Sequence, residues 1–160
     1  MTLLPPSFLV RVSYPCRYVK GIPHDDDDDL LDLAENCRLE NLAGMDGRPA
    51  FADMRLAWNE LGLGLQVQVR GKDQLPQGDI SRPRASDGVA FWLDTRDART
   101  SHRGSRFCHQ FYFLPAGGGP EHDEPAFVQV PIHRALQDAP LCTARDVSFR
   151  SRSKKSGYLV

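Results

Sequence analysis

Apolar and polar residues alternate along the chain with a period of two. The cleanest stretch is residues 63–70, where Leu63, Leu65, Val67 and Val69 alternate with Gly64, Gln66, Gln68 and Arg70. Successive strand side chains leave opposite faces, so this pattern predicts a strand with one buried and one polar face. Residues 53–58 alternate just before it, and Asn59, Glu60, Leu61 and Gly62 provide turn residues between the two runs. Together they predict a β-hairpin.

Other segments follow the same rule. Residues 8–14 predict a strand ended by Pro15. In residues 89–94, Val89, Phe91 and Leu93 point one way, and Ala90, Trp92 and Asp94 the other. Residues 107–114 predict an aromatic-rich strand, and residues 127–132, 147–150 and 158–160 predict shorter pieces. Residues 30–35 predict a single helical turn, with the preceding aspartates favourable at its start. Between these lie a long polar loop (71–85), a charged loop (94–104), a flexible Gly-rich tip (116–120) and a basic turn (150–155). The sum is an all-β protein, an antiparallel β-sandwich of jelly-roll-like form and immunoglobulin-like size. It forms one domain over residues 1–160 with at most one short helical turn. The chain stops inside an apolar strand pattern, so the domain is expected to be incomplete at its C-terminus.

Composition narrows the function. Hydrophobic residues make up 41% and charged residues 26%, as in a globular chain, and the formal net charge is -1. No bulk pull toward nucleic acid or an anionic membrane is expected. There is no apolar run of about 18 residues. Met1 to Pro6 lack the basic start of a secretory leader, so a cytoplasmic location is the default. His24 and the run Asp25 to Asp29 read as a solvated loop, because five adjacent carboxylates repel one another. The four cysteines, Cys16, Cys37, Cys108 and Cys142, lie far apart without metal-ligand spacing. They read as mostly buried thiols, with two disulfides as the alternative.

Residues 86–94 (Ser-Asp-Gly-Val-Ala-Phe-Trp-Leu-Asp) carry a resemblance. They follow an alternating hairpin and a long polar loop, and precede an aromatic strand with Phe107, Phe111 and Phe113. Over residues 50–160 this order resembles the family 9 carbohydrate-binding modules and the wider DOMON-like β-sandwiches. Residues 87–92 match their Asp-x-Val-Glu-Ile-Phe strand, and residues 157–160 look like the start of their Gly-Tyr-x-x-Glu strand. Residues 51–58 and 102–109 look like an uncharacterised bacterial branch. The resemblance implies a sugar-binding β-sandwich, in some cases associated with carbohydrate-active enzymes. Two positions depart from it. One clamp tryptophan of the family would fall near Arg84, where none occurs, and the sugar-bonding glutamate falls at Ala90.

The candidate binding residues are Trp92, Tyr112 and Gln110, with Arg84, Arg96 and Arg106 around them. An aromatic platform beside an amide suits the apolar face and hydroxyl rim of a sugar. The competing expectation packs Trp92 under a loop, and Trp58 reads as structural. Arg96, Arg99, Arg103 and Arg106, with His102 and His109 nearby, can recognise a carboxylate or phosphate. Alternatively they pair with Asp94 and Asp97. Asp87 and Asp94 read as turn anchors, structural calcium being the other possibility.

No catalytic constellation is visible: there is no G-x-S-x-G, H-E-x-x-H or Walker loop. Cys108 and His109 are strand neighbours and point to opposite faces. The expectation is a noncatalytic module that recognises a saccharide or related small polar ligand, with no cofactor and with no nucleic-acid or membrane partner. The alternative is a protein-interaction or structural sandwich. A haem domain is a third possibility, but His102, His109 and Met54 lack the spacing for it.

Overall fold

The computed structural model describes residues 4–22, 30–98, 102–143 and 145–160. The predicted acidic loop at His24 and Asp25 to Asp29, and Arg99, lie outside the described residues. The protein is all-β: its strands form two sheets, and the only helical pieces among the described residues are four short 3-10 turns, where at most one is expected. The chain divides into two compact units, residues 1–75 with 154–160, and residues 76–153.

The first unit is built on the hairpin of β3 (Ala52–Asn59) and β4 (Gly62–Arg70). Its register pairs Met54 with Val67, Leu56 with Leu65 and Asn59 with Gly62. The Asn59 side-chain oxygen accepts the backbone N–H groups of Leu61 (2.9 Å) and Gly62 (3.2 Å), which closes the turn. Gly62 has φ 152°, a value that favours glycine. The other edge of β3 carries two short strands end to end. β1 (Arg17–Tyr18) runs parallel to it and β2 (Arg38–Leu39) antiparallel. Beyond β4 lie β9 (Gly157–Leu159) and β8 (Arg152–Lys154), so the sheet order is β1-β3-β4-β9-β8 with β2 beside β3.

The polar face of the hairpin differs from the expectation. Residues Leu31 to Cys37 lie over it. Leu33 donates its N–H to the Gln66 side chain at 2.6 Å, and the Arg55 guanidinium donates to the Leu33 carbonyl. Arg55 also bonds Asp53 and Glu35, and Arg38 bonds the same two carboxylates. Ile22, Leu33, Cys37 and Ala57 form a buried cluster on this face, with Val19 and Leu31 beside it. Gly64 leaves room for it: a Cβ there would stand 3.0 Å from Ile22 and 3.1 Å from Leu31. The polar side chains thus bind backbone instead of water, and a second apolar layer packs between them.

Two local predictions fail in this unit. Residues 30–34 are not helical, and the short 3-10 turn comes later, at Glu35–Cys37. Once the Leu33 N–H and carbonyl are taken by Gln66 and Arg55, they are not free to form a helical turn. Residues 8–14 form no strand. Pro6 starts a 3-10 turn, Pro6–Leu9, and Ser7 bonds both carboxylate oxygens of Asp46 at 3.0 and 2.6 Å. Proline has a fixed φ and no N–H, which suits the first position of such a turn.

The second unit holds a sheet of three antiparallel strands in the order β5-β6-β7. They are β5 (Val89–Asp94), β6 (Cys108–Gly118) and β7 (Glu124–Gln129). One face carries the rings of Phe91, Phe111, Phe113 and Phe127, with centroid separations of 5.3–6.5 Å, and Phe149 adds a further contact to Phe113 at 5.4 Å. Phe149 packs from non-strand backbone, so the strand predicted at 147–150 is absent. The predicted flexible tip also differs. β6 runs on to Gly118, and Ala116 and Gly117 are buried. Gly78 comes so close to β6 that a Cβ on it would stand 1.8 Å from the Ala116 carbonyl oxygen. The ladder to β7 shifts register between Leu114 and Gly118, where Pro115 has no N–H to give.

Candidate functional site

The candidate residues all lie in the second unit, around β5 and β6. The register sets Trp92 opposite Gln110 and Ala90 opposite Tyr112, so the three predicted platform residues share one face. They do not share exposure. Trp92 is 60% exposed, Tyr112 7% and Gln110 1%. β5 is the edge strand, and the residues flanking Trp92 on its own face are Ala90 and Asp94, too small or too polar to cover an indole. Tyr112 instead packs with Leu114, Ala126, Val128 and Val130.

The predicted open platform of Trp92, Tyr112 and Gln110 is therefore corrected. Only Trp92 presents a ring to solvent, and the other two are core. The Gln110 amide donates to the Tyr112 hydroxyl, while its carbonyl oxygen Oε1 is buried with no hydrogen-bond partner. Gln110 also lines a small cavity of about 10 Å³ with Cys108, Gln129, Val130, Pro131, Ile132, Ala139 and Leu141. Small-molecule clefts typically enclose roughly 300–1,000 Å³, so this space is too small for a sugar.

Arg96 and Arg106 sit in the connection that joins β5 to β6. The Asp94 carboxylate accepts the backbone N–H groups of Arg96 and Ala98, both at 2.9 Å, and Thr95 donates its N–H to the Phe107 carbonyl at 3.0 Å. Asp94 thus anchors the turn, as the sequence suggests. The Arg96 guanidinium carbon lies 4.4 Å from the centre of the Phe107 ring and that of Arg106 lies 5.3 Å away. Both are cation–π distances. Both side chains are exposed, and neither forms an ion pair among the described residues. Phe107, the ring under both guanidinium groups, is not among the sequence candidates, although a ring directly after Arg106 and one residue before β6 gives two cations a common support.

The remaining candidates are dispersed. Arg84 is exposed on the 3-10 turn Pro83–Ala85. Arg103 donates to the Arg134 carbonyl at 2.8 Å. His109 stacks on Phe111 with its ring 5.8 Å away, on the aromatic face, whereas His102 is exposed. Asp87 accepts the Gln77 N–H at 2.8 Å and donates its own N–H to the Gln77 carbonyl at 2.8 Å, pinning the end of the long loop. In that loop Asp79 accepts from Ser81 and Arg82, and these bonds hold its carboxyl down to about 2. Trp58, in the first unit, rests edge-on against Tyr18 with centroids 5.4 Å apart. Among the described residues, no three of His, Cys, Asp and Glu are grouped to hold a metal ion. No described helix is long and apolar enough to cross a membrane.

No protein-family model matches the chain, and no curated protein or solved structure matches it either.

Proposed function

We propose that this chain is a noncatalytic binding module of β-sandwich type, which recognises a saccharide or a related small polar ligand on the open face of β5. The exposed ring of Trp92 carries this reading. It stands on a strand rather than a loop, so its backbone is held in place before a ligand arrives, and a flat indole suits the apolar face of a sugar ring. The paired guanidinium groups on Phe107 offer charge-assisted hydrogen bonds to an acidic substituent such as a carboxylate. The core pair Gln110 and Tyr112 lies beneath this face without lining it, and Arg84, exposed on the turn Pro83–Ala85, is retained as a candidate contact. The module is proposed to work without a cofactor, in association with carbohydrate-active enzymes.

Titration with a panel of neutral and acidic soluble saccharides tests it, by tryptophan fluorescence and heat. The titrations are run in a Trp58→Phe background so that Trp92 alone reports. At least one saccharide is expected to shift the emission and release heat, and Trp92→Ala is expected to abolish both. Silence across the panel, or an unchanged response in Trp92→Ala, overturns the sugar reading.

The unpaired edge of β5 favours a second reading, a protein partner that adds a strand there. It predicts binding that survives Trp92→Ala but fails when a proline replaces Ala90.

A further inference from the structure

In the first unit, the two short strands on the outer edge of β3 approach one another head to head. β1 runs parallel to β3, with Arg17 beside Ala57 and Tyr18 beside Trp58. β2 runs antiparallel, with Arg38 beside Arg55 and Leu39 beside Met54. Since β4 occupies the opposite edge of β3, both short strands share the remaining one. Cys16 immediately precedes β1, and Cys37, the last residue of the 3-10 turn Glu35–Cys37, immediately precedes β2. Arg17 and Arg38 sit two positions apart along β3, a gap of roughly 6–7 Å. Each cysteine adjoins one end of that gap, and a disulfide needs Cα atoms about 4.4–6.8 Å apart.

We propose that Cys16 and Cys37 form a redox-modification site, which a small-molecule disulfide of the glutathione type converts to an intramolecular disulfide joining β1 to β2 across the edge of β3. Both cysteines are free thiols in the structure, Cys16 exposed and Cys37 buried in the cluster with Ile22, Leu33 and Ala57. The Cys37 thiol lies 3.4 Å from the Asn36 side-chain oxygen, to which it donates. Partial burial, and after it the neighbouring Cys37, pushes the Cys16 thiol above its ordinary range, so the two sulfurs sense each other.

The exposed partner reacts first. The Cys16 thiolate attacks the external disulfide, forming a mixed disulfide and releasing one small thiolate. The Cys37 thiolate then attacks the Cys16 sulfur and displaces the second. Two protein thiols become one disulfide, the reagent is reduced to two thiols, and the protein's two protons go to those leaving groups.

The test uses the full chain, equilibrated with graded ratios of reduced and oxidised glutathione, quenched by alkylation in denaturant and mapped by mass spectrometry. The expected product is a Cys16–Cys37 cross-linked peptide, with Cys108 and Cys142 alkylated. Its formation should raise the thermal midpoint by about 5–10 °C, reversibly on adding dithiothreitol. Cys16→Ser, at an exposed position, should keep the midpoint of the reduced protein and lose the redox-dependent shift. A stable glutathione adduct on Cys16 with Cys37 alkylated would overturn the proposal. So would a cross-link through Cys108 or Cys142, or a shift that persists in Cys16→Ser.

Discussion

Trp92 and Gln110 face each other directly across β5 and β6, yet Trp92 is 60% exposed and Gln110 is 1% exposed. One rung of one sheet face thus carries the most open indole of the unit and its most deeply buried amide. The edge position of β5 explains the first, and the cluster around Tyr112 and Leu114 explains the second. Trp92→Ala should therefore change unfolding free energy by less than about 1 kcal/mol in denaturant melts. Gln110→Ala should cost about 2–3 kcal/mol, because it opens a hole and leaves the Tyr112 hydroxyl unpaired. The double variant Gln110→Met with Tyr112→Phe removes both polar groups, including the unsatisfied Oε1, and should recover wild-type stability to within about 1 kcal/mol.

Asn59 joins two parts of the first unit. Its oxygen closes the β3–β4 turn and its amide donates to the Ile22 carbonyl. Asn59→Ala should lower stability by about 2–3 kcal/mol in a urea melt, since the buried Ile22 carbonyl loses its donor and the turn N–H groups of Leu61 and Gly62 lose their acceptor. Asn59→Asp keeps the turn acceptor and loses the donor to Ile22. It should fall between the two at pH 7, and a value equal to Asn59→Ala would show that the Ile22 bond dominates.

Two glycines should respond very differently to alanine. At Gly78 the new Cβ would meet the Ala116 carbonyl at 1.8 Å, so backbone must move, and the expected cost is about 3 kcal/mol or more. At Gly64 it would meet the flexible ends of Ile22 and Leu31 at 3.0 and 3.1 Å. There the gain from a stiffer unfolded chain offsets the crowding, and the net change should stay within about 1 kcal/mol. Equal melting points for the two variants would contradict the close approach of the long loop to β6.

Acid should loosen that loop late. The Asp79 carboxyl sits near 2 because Ser81 and then Arg82 bond its charged form, against an ordinary value of 3.8. A depressed folded value means that the contribution is complete above the ordinary value and disappears as pH falls through about 2. A carboxyl NMR titration should show the Asp79 midpoint there, and faster amide exchange at Ser81 should follow it. Asp79→Asn should already show the fast exchange at pH 5.

The strands were legible wherever the alternation was long. Residues 53–58 and 63–70 became β3 and β4, and the two-face division of residues 89–94 matches their alternating burial. The face from which Trp92 leaves β5 was legible for the same reason, while its exposure was not, since a covering loop was an equally open expectation. Its intended companions were misjudged because sharing a face with Trp92 did not reveal what covers that face over Gln110 and Tyr112. The N-terminal run failed because Phe8 to Tyr14 alternate without a strand to pair with. Phe8 and Leu9 remain exposed on the turn that Pro6 starts.

What the sequence determined by itself is local: the all-β class, the Asn59 turn, the Asp94 anchor, and which side chains leave each strand together. These follow from the period of two and from bonds between near neighbours. What the tertiary structure decided is coverage and convergence. Leu33 lies over Gln66, and a segment that reads as polar loop presses Gly78 onto Ala116. Each depends on residues tens of positions apart reaching one place. The alternation records the direction of a side chain, and carries no information about what will stand in front of it.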